Sequence, residues 1–513
     1  MTVISRSHNN RSTWSPPLFW ALAVLVALAI ATLPLEWSVI LLAGLIIIVL
    51  IVINPLAGLG LALFVGPFGA LDEIVLGNTL LDSGQAAFLL TISAWLGISL
   101  ARRRLFIPRT TLNIPLLFFI LVALSTLLNA RSVSLGLVEL VKWLEVLLII
   151  WLVVDIAGDD GYGHARPLPV ARYVLASLFI VGTSQALIGI WQFGLRGRGP
   201  EHFIILDRFY RAYGTFEQPN PFGGFMNLIA LLAAGTLIGL CLAWWQKRQK
   251  TVSPLLFRRL QPWFIFTVFT AVAASLAVIF SWSRGAWLGF IAGIVILILF
   301  TPRQLRHGFL MLIVLGLIFL GGLRLGLSIG FAPAASIADR LGGFRDEFSL
   351  GDVRGVDIND ANYAVLERLA HWQAAVDMAR DDLWTGVGFG NYEAAYPEYA
   401  LINWPAALGH AHNYYLNLLA ETGLPGLLAY LFFWVVVVWQ SIQVCRALEW
   451  PERGVVVGLL AAWTALAVHH LVDKLYVNNI FIHLGAMLAL LQLLDWSDDR
   501  QISDMTRQVG SEQ

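Results

Sequence analysis

Charge is scarce in this chain. Of its 513 residues only 13% are Asp, Glu, Lys or Arg while 58% are hydrophobic, against roughly 25% charge in soluble domains. A water-soluble globular protein is excluded on that balance. The formal net charge is zero, so the chain offers no basic field for nucleic acid, whose phosphates recruit Lys and Arg. Cysteine is nearly absent. Cys241 and Cys445 fall within or at the end of hydrophobic runs, which argues against a disulfide framework and against a cysteine metal site. There is no repeat of fixed period and no low-complexity tract. A cleavable leader is not expected: Arg6 and Arg11 precede an apolar run at 18–33, but further runs follow at once, so a retained first helix is the better reading.

What the chain does have is long apolar runs. They recur from residue 18 to residue 494, many near the ~20 residues a helix needs to cross a bilayer. The expected fold is all-α, a polytopic transmembrane helix bundle of about 12–14 spans with one large extracytoplasmic helical loop domain. Twenty tryptophans suit two membrane interfaces, where indoles settle. Glycines 285, 289 and 293, and Gly321 with Gly322, permit close helix packing.

Basic residues in short loops set the orientation. With the N-terminus cytoplasmic, the inner loops hold RRRLFIPR at 102–109, the segment 247–259, Arg303, Arg306, Arg446 and Arg453. The outer loops hold the acidic stretch 72–82 and the turn at 281–284. Both termini then lie inside. The segments 196–221, 281–284, 326–413 and 473–478 reach the outer face together. The expected organisation is a membrane bundle over 1–325, an extracytoplasmic loop domain over 326–411, a histidine helix with the last spans over 412–495, and a cytoplasmic, disordered tail over 496–513.

Several polar residues stand out against this background. Arg284, in FSWSRGAWLGF, lies between two apolar runs with no carboxylate nearby in sequence. A charge so placed needs a cavity or a partner, and a guanidinium fork suits an anionic ligand such as phosphate. Arg211, in RFYRAYGTFEQPNPFGG, precedes a span; the plainer alternative is an interfacial arginine reaching headgroups. His410 and His412, in HAHNYYLNLLAETGLPG, begin a span, and imidazole exchanges protons near neutral pH. Two histidines without a third ligand at a defined spacing are a weak metal signal, so no metal is expected; His371, His469, His470 and His483 are further candidates that sequence does not bring together. Glu139, Lys142 and Glu145 are spaced to neutralise one another on a helix face. Asp473, beside Lys474, is placed to orient an arginine or a histidine. The segment 361–380 has apolar residues at helical spacing and reads as an amphipathic helix over the bundle. The glycines of TGVGFGNYEAAYP read as a turn closing that helix, because no strand precedes them as a dinucleotide motif requires.

The motifs together resemble a known family. His412-Asn413, nine residues, then Gly423-Leu424-Pro425-Gly426 is similar to the signature of the O-antigen ligase and O-antigen polymerase superfamily of bacterial envelope proteins. FSWSRGAWLGF resembles its Ser-Arg-Gly segment and RAYGTFEQPNPFGG its Arg-x-x-Gly-Thr-Phe segment, in the right order, over about residues 211–494. The resemblance implies a glycosyltransferase in the bacterial inner membrane, acting at the periplasmic or exterior face. Its donor would be a glycan on undecaprenyl pyrophosphate and its acceptor a hydroxyl of a glycan or lipid, lipid A core among them, with no metal and no cofactor. It implies an inverting displacement in which Arg211 and Arg284 hold the pyrophosphate and His412 takes the acceptor proton. Arg368, His410, Asn413, Glu421 and Asp473 are expected to support substrate binding. Polymerisation by the same superfamily is the near alternative. A polysaccharide or lipid transporter is the alternative of another class, though it would predict inverted repeats and a midplane site; a non-catalytic scaffold would not need Arg284 or His412.

Overall fold

A helix is the only single-segment way to cross lipid with every backbone group paired, and the apolar runs fold accordingly. The computed structural model describes residues 24, 32–69, 71, 82–103, 107–158, 166–205, 208–248, 254–330, 353–359 and 362–511, with side chains omitted at 247–261 and 497–511. Most of the apolar run at 18–33, most of the acidic stretch at 72–82, Arg104 and the first part of the long loop that begins at 326 lie outside them.

Fifteen α-helices are described among these residues. The first are α1 (Leu35–Ile53), α2 (Pro55–Val65), α3 (Ser83–Ala101), α4 (Asn113–Ser125), α5 (Val133–Gly158) and α6 (Pro167–Gly194). A two-residue ribbon, β1 (Ile204–Ile205) with β2 (Phe209–Tyr210), precedes α7 (Pro219–Arg248), α8 (Pro254–Phe280), α9 (Arg284–Phe300) and α10 (Leu305–Ser328). Then come α11 (Tyr363–Asp381), α12 (Tyr392–Tyr399), α13 (Tyr414–Ala447), α14 (Glu452–His469) and α15 (Ile480–Ser511). Among the described residues, eight helices are long and apolar enough to span a membrane and four apolar helices are shorter. This is the all-α polytopic membrane bundle that composition predicts.

Two features position the rest. The bundle core is α7, packed between α8, α9 and α14. Gly235 and Gly239 of α7 face Gly454 and Gly458 of α14, backbone against backbone: a Cβ at Gly235 would strike the Cα of Gly458. This is a small-xxx-small crossing on both helices. Gly285, Gly289 and Gly293 pack as expected, against His469, Ala465 and Leu231. Gly321 and Gly322 correct that expectation. A Cβ on either meets nothing within 4 Å, because α10 leaves most of its length exposed to the lipid side.

The second feature is a polar cap. On α11, Leu366, Leu369, Trp372 and Met378 are buried, as the helical spacing predicts, and the helix rests on α13. The glycine-rich turn after it docks on the same helix, with Val387 N–H donating to Ala420 O at 2.9 Å and Leu424 N–H to Leu383 O at 2.7 Å. That second bond is possible because α13 breaks at Gly423 (φ 63°), where a side chain would meet the carbonyl of Leu383. The first glycine of the Gly-x-x-Gly motif therefore serves a close backbone approach that L-residues resist. At the far end of the chain, α15 continues to Ser511 where a disordered tail is expected. Adding residues to a helix already nucleated by a buried segment costs little, which polarity alone does not reveal.

Candidate active site

The three sequence motifs meet at one end of the bundle. Arg211 follows the β-ribbon, whose position is fixed by Ala212 N–H donating to Phe280 O at 2.9 Å, at the end of α8. Its Nε donates to Ser281 O at 3.0 Å and its Nη2 to Asn220 Oδ1 at 3.2 Å. Arg211 is thus held against the turn that leads into Arg284. Ser283 caps α9, accepting Ala286 N–H at 3.3 Å, so Arg284 stands at the helix's positive end. The adjoining Gly285 lies against the rings and methyls of His469 and Val472, and Val472 leads directly into Asp473.

Asp473 joins the arginine side to the histidines. Its Oδ1 is 3.9 Å from His410 Nε2 and 4.0 Å from His412 Nδ1. His412 has a left-handed backbone (φ 52°), a conformation uncommon outside glycine and tolerated by histidine better than by most residues. It is fixed from three sides. Its N–H donates to His410 Nδ1 at 3.0 Å, Trp372 Nε1 donates to its carbonyl at 3.4 Å, and Tyr414 N–H donates to His470 O at 2.9 Å. The consequence is an imidazole whose Nδ1 faces Asp473 and whose Nε2, buried, makes no hydrogen bond. Burial holds His412 down to about 3, helped by neighbouring His410, Arg368 and His371 and opposed by Asp473. His410 is held at about 3 by burial, then by Lys474, His371 and Arg368. Both rings are neutral at physiological pH.

Other expected residues take different stations. Arg368, on α11, is near enough to act on both imidazoles. Asn413 caps α13, its Oδ1 accepting Tyr415 N–H and Leu416 N–H at 3.0 and 3.1 Å. Glu421 is buried and holds the start of α12 through Tyr392 N–H at 3.2 Å. Asn413 and Glu421 therefore build the scaffold under the histidines. The structure brings one of the further histidine candidates to this site: the His371 ring lies 5.5 Å from that of His412. His483 lies elsewhere, bonded to Leu63 O and Asn479 O.

The first half of the chain contributes more than hydrophobicity. Gln192 Oε1 accepts Tyr213 and Gly214 N–H at 3.0 and 2.7 Å, and Gln185 Oε1 accepts Thr215 N–H at 3.2 Å. These α6 glutamines shape the Arg211 segment. Glu139 of α5 pairs with Lys142 at 2.6 Å, as its spacing predicts, and also with Lys474 at 3.3 Å. Burial opposes the Lys474 charge, but Glu139 and Glu421 keep its pKa above the ordinary lysine value. Lys474 N–H in turn donates to Asp473 Oδ1 at 2.8 Å, so the pair anchors the loop that presents Asp473. Removing one partner of a buried pair typically costs 3–5 kcal/mol, mostly by stranding the other charge. Glu139→Leu is expected to lose roughly 3 kcal/mol, and Glu139→Leu with Lys474→Met to recover much of it. Thermal unfolding of the detergent-purified variants measures both.

His410, His412 and Asp473 place their ligand atoms within 4.8 Å of one another, a three-donor set that a divalent transition metal can use. One bond argues against that use. Because His410 Nδ1 accepts the His412 N–H, a neutral His410 carries its proton on Nε2, the nitrogen that a metal would need. That tautomer instead directs an N–H toward Asp473. The arrangement is suited to proton handling, with a free imidazole lone pair beside an oriented carboxylate and two arginines across the loop.

No curated protein matches the chain significantly. A family model described as O-antigen ligase matches residues 269–431, a stretch that includes Arg284, Arg368, His410 and His412 but not Arg211. By its bundle the chain is a multi-pass membrane protein, and over residues 269–431 it is similar to the O-antigen ligase family.

Proposed function

We propose that this protein is an O-antigen ligase-like glycosyltransferase. It moves a glycan from undecaprenyl pyrophosphate to an acceptor hydroxyl, of lipid A core or a similar glycolipid, at the outer face of the inner membrane. The acceptor oxygen attacks the anomeric carbon as the bond to pyrophosphate breaks, and the carrier leaves with the electron pair. His412 Nε2 takes the acceptor proton. Its Nδ1–H then faces the Asp473 carboxylate, which stabilises the imidazolium as it forms. Arg211 and Arg284 receive the charge developing on the pyrophosphate, with the N-terminus of α9 adding its dipole. A direct displacement inverts the anomeric centre. The reaction uses no metal, and the His410 tautomer supports that. Residues 362–411 form the extracytoplasmic cover of the site in this reading.

The observation that carries the proposal is the buried Nε2 of His412, which has no partner while Nδ1 faces Asp473. A buried polar atom is usually hydrogen-bonded, and a substrate hydroxyl supplies what it lacks. Arg284→Ala is expected to weaken donor binding and to lower transfer by at least about 10²-fold, the scale of losing one transition-state charge contact. Assay of the purified, folded variant with a lipid-pyrophosphate glycan tests this; unchanged transfer would sink the assignment.

The pH dependence carries a sign. In the free enzyme the pKa of His412 is depressed to about 3, so the imidazole stays unprotonated well below its ordinary value of ~6.5. The acidic limb of kcat/KM is expected far below pH ~6.5. Bound pyrophosphate adds negative charge, which favours imidazolium, so the limb of kcat should lie at higher pH than that of kcat/KM. Stability follows the same groups. An unfolded histidine binds a proton near pH ~6.5 that the folded one refuses, so folding loses stability as pH falls from there toward ~3. Parallel pH–rate and pH–unfolding series check both.

A further inference from the structure

At the end of the bundle opposite the histidines, a cavity of about 470 Å³ opens between α6, α7, α8, α14 and α15. Its size falls within the ~300–1,000 Å³ of ligand cavities. Its wall is apolar: Leu175, Leu240, Trp263, Val455, Leu490 and Leu494 contribute. Two charged residues also line it, Arg172 of α6 and Glu452 of α14. Neither is engaged in a hydrogen bond or ion pair with a described residue. An apolar pocket in the membrane bundle with one cation and one anion at its wall is an unusual combination. Lipid chains account for the apolar part, and a headgroup carrying both a phosphate and an amine accounts for the charges.

We infer that this cavity holds one acyl chain of an aminophospholipid, with the phosphate against Arg172 and the ammonium against Glu452. The order along the helices agrees. Arg172 lies more than a turn inside the start of α6 at Pro167, whereas Glu452 is the first residue of α14. In an aminophospholipid the phosphate is likewise nearer the acyl chains and the ammonium further out. A guanidinium binds phosphate oxygens as a fork, and Trp263 at the wall suits the interfacial depth of such a headgroup. An anionic phospholipid without an amine would satisfy Arg172 and leave Glu452 facing negative charge. The site is separate from the glycan chemistry and does not depend on it.

The test uses the full chain reconstituted in nanodiscs of equal phosphatidylethanolamine and phosphatidylglycerol with matched acyl chains. Native mass spectrometry then counts the lipid retained on the released protein. A single charge contact near a membrane surface is worth about 1 kcal/mol, so the wild type should retain phosphatidylethanolamine about fivefold over phosphatidylglycerol. Glu452→Gln should abolish the preference, and Arg172→Ala should reduce retention of both lipids. Ala176→Trp fills the cavity from a half-buried wall position and should displace the chain with both charges intact. The inference is overturned if the wild type retains nothing, if the retained lipid mirrors the bilayer, or if all three variants retain what the wild type does.

Discussion

Replacing His412 by alanine is expected to reduce glycan transfer by about 10²–10⁴-fold, the range that a positioned general base supplies, while leaving donor binding near its original level. The expectation rests on where the side chain sits. His412 faces Asp473 through Nδ1, and its buried Nε2 is unused by the protein. Arg211 and Arg284 are held instead at the 281–284 turn. Losing the base should therefore appear in kcat, whereas losing Arg284 should appear in both kcat and donor affinity. His412→Gln keeps a polar side chain of similar reach but cannot accept and hold the proton, so it should fail as badly as alanine. A collapse of the fold would confuse the result. His412 has a backbone conformation that alanine tolerates less well, and thermal unfolding of the variant must accompany the rate. Intact folding with full transfer would mean that the acceptor proton leaves by another route.

The second large effect concerns the helix crossing beneath the site. Gly458→Val places a branched side chain where an added Cβ would already lie 2.9 Å from the Cα and carbonyl of Leu232 and 3.0 Å from the carbonyl of Leu231, well inside van der Waals contact. Both helices are central, since α14 also carries His469 and leads to Asp473. Overpacking commonly costs 1–3 kcal/mol where side chains can yield. Here the obstruction is backbone, so about 3 kcal/mol or more is expected. The variant should be recovered poorly from the membrane and should unfold at markedly lower temperature. Gly321→Val on the lipid-facing helix α10, where an added Cβ meets nothing within 4 Å, should behave as wild type. Equal stability of the two variants would contradict the crossing.

These two cases show what a single sequence reveals and what it conceals. The apolar runs disclose the membrane bundle because spanning helices obey a local rule of length and hydropathy. Arg284 is visible for the same reason, as a charge that violates the rule. The histidine motif marks a boundary where a polar loop returns to a helix. Which glycines pack is less accessible. Gly321 and Gly454 look alike in sequence, and only the partner helix distinguishes a contact from an exposed face. Lys474 illustrates the same gap: its pairing with Glu139 joins residues more than three hundred positions apart, so no periodicity carries it. The glutamines of α6 are not legible in the sequence because a buried amide in an apolar run has no signature until its partner, here the donating N–H groups of the 213–215 backbone, is known. Asn413 and Glu421, expected from the motif to support substrate binding, have oxygens that accept helix-start N–H groups, a structural need that also selects Asn and Glu.

The most direct test of the central claim is transfer by the purified wild-type protein, with a lipid-pyrophosphate glycan donor, a lipid A core acceptor and a chelator in excess. The account predicts turnover that resists the chelator and a product whose new glycosidic bond has the anomeric configuration opposite to the donor's. Retention of configuration, loss of activity on chelation with recovery on adding zinc, or no turnover by a protein that binds the donor would contradict it.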